Sequence, residues 1–287
     1  MRILGLAALP LCLLAAPAFA QDETPPPAEV QEAAREGAAR LTLGVGAAYY
    51  PDYEGSSHNR WTPIPVANGT VAGMSFTLIG NRAQLDVIPN PTGPGWDLQF
   101  GPVAVYNMNR SNRDSIRDPR VRALGEVDSA LEVGGYVGIG RTGLITSDFD
   151  KLTVSVSYRK DVTRVHNAGI WNPVISYSTP LSTKAMVSLS ASAEIVEDRY
   201  ARTYFGVTPA QSLASGLPVF RPEGGQKDIT FGGYVAYALT GNLTKGLSLV
   251  AGGTYRKLVN DFADSPLVSI AGDRNQWTGA AGLALTF

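Results

Sequence analysis

The sequence has 287 residues, with 24 Lys and Arg against 25 Asp and Glu, a formal net charge of −1 and a mean hydropathy of −0.01. This balance excludes the basic surface typical of nucleic-acid-binding proteins. One Cys and two His exclude a disulfide framework and a histidine-rich metal site. We therefore expect no nucleic-acid partner, no metal and no cofactor.

The first twenty residues have the three parts of a secretory signal peptide. Arg2 supplies the positive charge, Ile3 to Leu14 the apolar stretch, and Ala18-Phe19-Ala20 a small-residue cleavage site. A lipoprotein anchor at Cys12 is the alternative, but this residue lies inside the apolar run. Residues 1–20 are thus predicted to be removed on export, together with the only cysteine.

Residues 21–40 contain a run of prolines followed by a charged, Ala-rich stretch. We predict a flexible periplasmic arm. The alternative is a short periplasmic helix that docks on a partner. The rest of the chain, 41–287, is predicted to form one domain.

From Leu41 onward apolar and polar residues alternate with period two, which is typical of strands with one apolar face. The clearest examples are KLTVSVSYRK at 151–160 and MVSLSASAEI at 186–195. The pattern predicts roughly twelve strands, with the third and fourth the least regular. Their predicted ranges are 41–50, 60–71, 73–79, 82–89, 96–106, 127–140, 150–161, 170–178, 185–195, 228–240, 246–257 and 276–287.

Several of these strands are long enough to cross a bilayer, which takes about 9 to 11 tilted residues. No segment after Ala20 has 18 consecutive apolar residues, so a membrane-spanning helix is excluded. Long and short connections also alternate along the chain, as expected for external loops and periplasmic turns. The fold class is therefore all-β, a transmembrane up-and-down antiparallel β-barrel of about 12 strands (about 10 to 14) in the bacterial outer membrane.

A soluble β-sandwich is the competing fold, because a half-buried antiparallel sheet shows the same alternation. Three features favour the barrel, and one is the predicted signal peptide, which exports the chain to the compartment where such barrels lie. The polar faces are rich in Ser, Thr and Gly, and aromatic residues such as Tyr49, Trp61, Trp171 and Trp277 concentrate near strand ends, as in interface girdles.

Two groups of charged residues are candidates for binding. Five arginines in the predicted loop after strand five suit lipopolysaccharide phosphates or an acidic ligand, and a solvated loop with internal ion pairs is the alternative. They are Arg110, Arg113, Arg117, Arg120 and Arg122. The predicted lumen-facing charges are Asp128, Glu132, Arg159 and Glu194, with Arg256 a further candidate. Opposite charges inside a barrel narrower than the porins are expected to pair and fill it.

Other loop features predict little chemistry. Thr208 followed by Pro209 predicts a short helix through Ala214.

His166 lies near Asp161, as a lipase-type Ser-His pair with an acid would require, but no nucleophile-elbow pattern surrounds a serine. We therefore predict no catalytic residue.

An ordered set of motifs resembles the MipA/OmpV family of bacterial outer-membrane proteins, from Leu41 to the C-terminus. The motifs are Tyr50-Pro51-Asp52-Tyr53-Glu54-Gly55-Ser56, Pro63-Ile64-Pro65, Tyr204-Phe205-Gly206-Val207, Gln211, Ser215-Gly216-Leu217, Gly224-Gly225, Asp228, Asp264-Ser265-Pro266 and Leu285-Thr286-Phe287.

The resemblance implies an outer-membrane location and a non-enzymatic role. For the MltA-interacting branch it implies a scaffold that links a murein-degrading transglycosylase to a murein synthase. Other members are described as porin-like proteins or adhesins, so a small-solute channel or an adhesin is the alternative. The expected partners are outer-membrane lipid, lipopolysaccharide and the periplasmic murein hydrolase and synthase.

Overall fold

A computed structural model describes residues 40–71, 73–91 and 93–287. The predicted signal peptide and the predicted arm, apart from Arg40, lie outside the described residues. None of the helices in the described ranges is long and apolar enough to cross a membrane.

The described residues form one closed antiparallel β-barrel in which each strand pairs with its neighbours in sequence and the last strand pairs with the first. The strands are β1 Arg40–Pro51, β2 Asn59–Val71, β3 Met74–Ile79, β4 Arg82–Asp86, β5 Gly95–Asn107, β6 Ala130–Thr142, β7 Lys151–Asp161, β8 Gly169–Pro180, β9 Ala185–Val196, β10 Gly225–Ala238, β11 Gly246–Leu258 and β12 Asn275–Thr286. The predicted fold class and strand number are confirmed.

The barrel closes where β1 meets β12. The register pairs Thr42 with Thr286, and the two hydroxyl oxygens are 2.9 Å apart. The N–H of Phe287 donates to the carbonyl of Leu41 at 3.0 Å. The final residue thus completes the ladder at the end of the barrel that carries the short connections.

The outer wall is apolar over most of its height. Residues such as Val45 and Leu283 alternate with inward glycines and alanines, and remain exposed on the outside. Aromatic pairs lie near the ends with long loops, for example Tyr49 with Trp61 at 5.4 Å between ring centroids. An apolar belt bounded by aromatic rings is the surface that a transmembrane barrel presents to lipid.

Three predicted strand ends differ from the structure by three residues, and the others differ by two at most. β4 ends at Asp86 because that carboxylate accepts the N–H groups of Ile88 and Phe100, which turns the chain out of the ladder. β6 begins at Ala130 because the preceding Val127 bonds instead to the carbonyl of Arg110. β10 begins earlier than predicted, at Gly225, because a bulge extends its pairing with β9.

The longer connections carry all the described helices. They are α1 Pro119–Ala123, α2 Asp198–Phe205, α3 Pro209–Ser215, α4 Asn260–Asp264 and α5 Pro266–Ser269, with a 3₁₀ turn at Arg113–Ser115. The predicted helix after Thr208 is confirmed as α3. Thr208 caps its first turn, and Gly216 ends it in the left-handed conformation at φ 74°.

These connections pack over one end of the barrel as a loop cap with two apolar clusters. One cluster contains Tyr200, Phe205 and Phe262, and the other contains Tyr53, Ile116 and Leu267. Tyr53 donates to the carbonyls of Leu267 and Ala271, both at 3.1 Å, and burial raises its pKa above the ordinary value. The cap therefore has its own hydrophobic core.

At the opposite end, Asp150 organises the turn between β6 and β7. Its carboxylate accepts the N–H groups of Leu144, Ile145 and Thr146 at 2.7 to 2.8 Å. Burial alone would raise the pKa of Asp150, but these hydrogen bonds and that of Tyr177 hold the pKa well below its usual value. A depressed pKa means that the ionised carboxylate stabilises the fold.

We predict that Asp150→Asn is less stable than the wild type at pH 7, and that this difference shrinks as the pH falls below about 4, the ordinary pKa of an aspartate. The reason is that the carboxylate loses its advantage as it becomes protonated. Urea unfolding in lipid vesicles at pH 7 and pH 3 measures both effects. A difference that stays constant with pH would contradict the role assigned to the carboxylate.

Candidate functional site: a charged layer beneath the loop cap

The ends of five strands beneath the loop cap direct charged side chains into the barrel. Glu132 of β6, Arg159 of β7 and Glu194 of β9 come from positions that alternate with outward apolar residues. Asp228 of β10 and Arg256 of β11 complete this set. With Glu54 and Lys227, these residues form what we call the charged layer.

Lys227 enters the charged layer through a β-bulge. The register between β9 and β10 pairs Gln226 with Ile195 and Asp228 with Glu194, so Lys227 is the extra residue. In a regular strand, consecutive side chains point to opposite faces. The bulge breaks that rule, and both Lys227 and Asp228 are buried.

Lys227 is the most connected member of the layer. Its Nζ lies 2.7 Å from Glu54 Oε1, 2.6 Å from Glu194 Oε2 and 3.6 Å from Asp228 Oδ2. The hydroxyl of Tyr200 in α2 donates to the second oxygen of Glu54 at 3.0 Å. Burial, followed by the charge of Glu54, raises the pKa of Tyr200 well above its ordinary value, so the hydroxyl keeps its proton.

Two arginines bind the remaining carboxylates. Arg159 Nε lies 2.6 Å from Glu132 Oε2, and the same guanidinium bonds to Glu194. Arg256 Nη1 lies 2.9 Å from Glu54 Oε1, and its Nε lies 3.6 Å from Asp228 Oδ2. Each carboxylate of the layer therefore has at least one cationic partner, which is what buried ions require.

The sequence-predicted lumen charges divide into two groups. Glu132, Arg159 and Glu194 come together in the charged layer, as does Arg256. Asp128 does not, because it lies in the loop before β6 and its side chain is exposed. Its prediction as a lumen charge was wrong, because it assumed that β6 begins at residue 127 whereas the strand begins at Ala130.

Glu54, Lys227 and Tyr200 were not predicted as members of the site. Glu54 and Tyr200 come from loops, where period-two alternation gives no direction for a side chain. Lys227 follows Gly224 and Gly225, and Gly225 has φ 136°. This glycine pair, separated by Gln226 from a Lys-Asp pair, was the one available signal for a bulge.

The five loop arginines mostly bond within the cap. Arg110 is buried and donates to the carbonyls of Tyr204 and Gly125, and burial lowers its pKa to about 10. Arg122 donates to the carbonyl of Ile116. Arg120 pairs with Asp118 at 2.7 Å, Arg117 donates to the carbonyl of Asn59, and Arg113 is exposed.

His166 has no nucleophilic serine beside it in the described part of the chain. Asp161 accepts the backbone N–H groups of His166 and Asn167, both at 2.8 Å, and so orders the loop rather than the imidazole. The ring Nε2 lies 3.3 Å from Glu132. Within the described ranges, no group of three or more His, Cys, Asp and Glu residues could hold a metal ion.

The closed wall of apolar-faced strands and the charged lumen define the chain as a transmembrane β-barrel of the outer-membrane class. The sequence pattern of the family described as MltA-interacting protein MipA matches residues 43–287, and the chain belongs to this family.

Similar solved structures include two outer membrane channels. The outer membrane channel DcaP of Acinetobacter baumannii is 9% identical, with a TM-score of 0.37 over 87% of this chain and 96% of that chain. An outer membrane channel from Pseudomonas putida F1 is 12% identical, with a TM-score of 0.36 over 87% of this chain and 95% of that chain. The search of curated proteins found no match.

We predict that Arg159→Met lowers the free energy of unfolding by about 3 kcal/mol, because it leaves two lumen carboxylates without their shared partner. Urea unfolding in lipid vesicles, followed by tryptophan fluorescence, measures the change. The control is Arg202→Met, which breaks an exposed pair with Asp198 and should cost no more than about 0.5 kcal/mol. Equal costs for the two variants would show that the charged layer is not buried.

Proposed function

We propose that the protein is a non-enzymatic outer-membrane anchor that binds murein (peptidoglycan) remodelling enzymes at its periplasmic end. The observation that carries this proposal is the burial of the charged layer. Lys227 is 0% exposed and Glu132 is 1% exposed, although both carry charges that water would otherwise solvate. Paired charged side chains that fill the lumen at this height support an anchor over an open pore.

The loop cap supports the same view. It covers the charged layer with buried aromatic residues, including Tyr204 and Phe205. The cap is also bonded to the layer, since Tyr200 of α2 donates to Glu54. Opening a path for solutes would therefore require the separation of both the ion pairs and the apolar clusters.

The family description supports the choice of partner. It names an interaction with MltA, and the family resemblance identifies that partner as a murein-degrading transglycosylase. Such an enzyme acts in the periplasm, so its contact with the barrel must lie at the end with short connections.

That end carries exposed apolar side chains on neighbouring turns. Leu144 and Ile145 lie between β6 and β7, Leu181 between β8 and β9, and Leu239 between β10 and β11; we call these four residues the periplasmic rim. Ile145 is 65% exposed and Leu181 is 67% exposed. Exposed apolar patches of this kind mark protein contact sites.

Hydrogen bonds between the turns hold the rim together. Thr146 bonds to Thr179 at 2.8 Å through their hydroxyl groups, and the N–H of Leu243 donates to the carbonyl of Thr183 at 3.0 Å. A surface that is already ordered loses little entropy on binding. The rim is therefore suited to hold a partner.

We predict that the purified barrel captures MltA from the same bacterium, and that Ile145→Asp combined with Leu181→Asp weakens capture at least about tenfold, equivalent to about 1.4 kcal/mol. Pull-down in detergent at several MltA concentrations measures the affinity. Leu213→Asp is the matched control, since this leucine is 90% exposed but lies in α3 of the loop cap.

The outcomes test the anchor function and the position of the MltA contact separately. No capture by the wild type would contradict the anchor function. Capture that the rim variant retains in full would place the contact elsewhere and overturn the periplasmic rim as the binding site.

The alternative function is a small-solute channel, which the 690 Å³ cavity beneath the cap favours. Reproducible conductance steps from the wild type in planar bilayers would establish a channel in place of a sealed anchor.

Lipopolysaccharide contact remains a proposal for the two outward arginines of the loop cap. Arg113 is exposed, and the side chain of Arg117 is 55% exposed. Both can reach phosphate groups at the outer surface, whereas Arg110 is buried and belongs to the cap core.

A further inference from the structure

The hairpin of β3 and β4 is too short to complete the barrel wall. These strands have 6 and 5 residues, whereas β2 and β5 on either side have 13 each. The tip of the hairpin meets its neighbours where Gly80 donates to the carbonyl of Pro65 and where the carbonyl of Asn81 accepts from Tyr106, both at 2.9 Å. Above this level β5 ends at Asn107, and residues 59–64 of β2 have no strand partner on the hairpin side in the described ladders.

The sequence of β2 is adapted to this gap. The carbonyl of Pro65 points toward the hairpin, and Pro63 shares that orientation because alternate residues of an extended strand turn their polar groups to the same side. Proline has no N–H to leave unpaired, which is why it is tolerated at a strand edge. The unpaired upper edge of β2 therefore has no N–H group without a hydrogen-bond partner at these two positions.

The gap lies at the height of the outer membrane leaflet. Trp61, two residues above Pro63, packs against Tyr49 in the outer aromatic girdle and is 70% exposed. Arg117 closes the gap above by donating to the carbonyl of Asn59 at 2.9 Å. An opening bounded by the girdle above and the hairpin below faces lipid rather than water.

A cavity of about 690 Å³ runs inward from this gap. Its lining includes Pro63 and Tyr106 in the wall, the apolar side chains Ile64 and Leu78, and members of the charged layer. The volume falls within the range of about 300 to 1,000 Å³ that small-molecule sites occupy.

Two arginines in the lining of the cavity have no carboxylate partner among the described residues. In that part of the chain, Arg82 of β4 bonds to neutral groups alone, Asn172 at 3.2 Å and Ser157 at 3.4 Å. Arg60 of β2 makes no ion pair in the described ranges, and its Nε is buried without a hydrogen-bond partner. The carboxylates that line the cavity are already engaged, Glu54, Glu132 and Glu194 by the cations of the charged layer and Asp52 by Arg117.

We propose that this gap is a lateral portal through which an amphipathic anion enters from the outer leaflet. Its carboxylate or phosphate head binds Arg60 and Arg82, and its apolar tail lies along Ile64 and Leu78 toward the membrane. Guanidinium groups match the planar, charged oxygens of both heads. The inference stands apart from the anchor function, because it rests on the wall and not on the periplasmic rim.

The test uses a diazirine-bearing long-chain fatty acid as a photoreactive probe, with the protein in nanodiscs of neutral phospholipid. We expect labelling within residues 59–86 that excess dodecanoate or dodecyl phosphate suppresses and dodecanol does not. The stronger of the two anionic competitors identifies the head as carboxylate or phosphate. Suppression by dodecanol to the same extent would overturn the proposal.

The variants supply the second part of the test. Arg60→Gln with Arg82→Gln should reduce the suppressible labelling at least tenfold, and Ile64→Trp should do the same by filling the cavity while both arginines remain. Arg141→Gln is the control, since this arginine stacks on Trp96 at the opposite end of the wall. If the double variant does not fold, Arg60→Gln alone carries the test. Unchanged labelling in the folded variants would contradict the portal.

Discussion

The structure depends on the compensation of charge inside the barrel. Four carboxylates and three cations meet beneath the loop cap, and Lys227 alone lies within 4 Å of three of the carboxylates. Removing ions from water costs several kcal/mol for each ion, so the layer persists only because the ions are paired. The bulge in β10, the inward turn of Glu54 and the position of α2 all serve that pairing.

The charged layer also divides the barrel into two parts. Above it, the loop cap is packed around its own apolar clusters. Below it, the lumen is lined by small hydroxyl side chains such as Ser188, Ser190 and Thr153, and some of these are exposed. The short β3–β4 hairpin opens the wall beside the layer, so the lateral cavity reaches charged residues without passing through the cap.

The sequence predicts the wall well and the site only in part. Period-two alternation locates the strands and places Glu132, Arg159 and Glu194 on inner faces, because an unbroken strand fixes the direction of each side chain. The same rule fails at Lys227, where one extra residue changes the phase, and it gives no direction for Glu54 or Tyr200 in loops. The prediction for Asp128 fails for another reason. β6 begins at Ala130, two residues after Asp128, so Asp128 lies in a loop and not in a strand.

Sealing of the lumen by the charged layer is the central claim, and the accessibility of a single cysteine tests it most directly. The only native cysteine, Cys12, lies in the predicted signal peptide, so a cysteine at Ser190, on β9 below the layer, would be unique in the processed chain. A membrane-impermeant maleimide should label it from the periplasmic side alone, whereas a cysteine at Leu213 in the cap should be labelled from outside. Labelling of residue 190 from outside at a rate similar to that of residue 213 would show an open lumen and contradict the account.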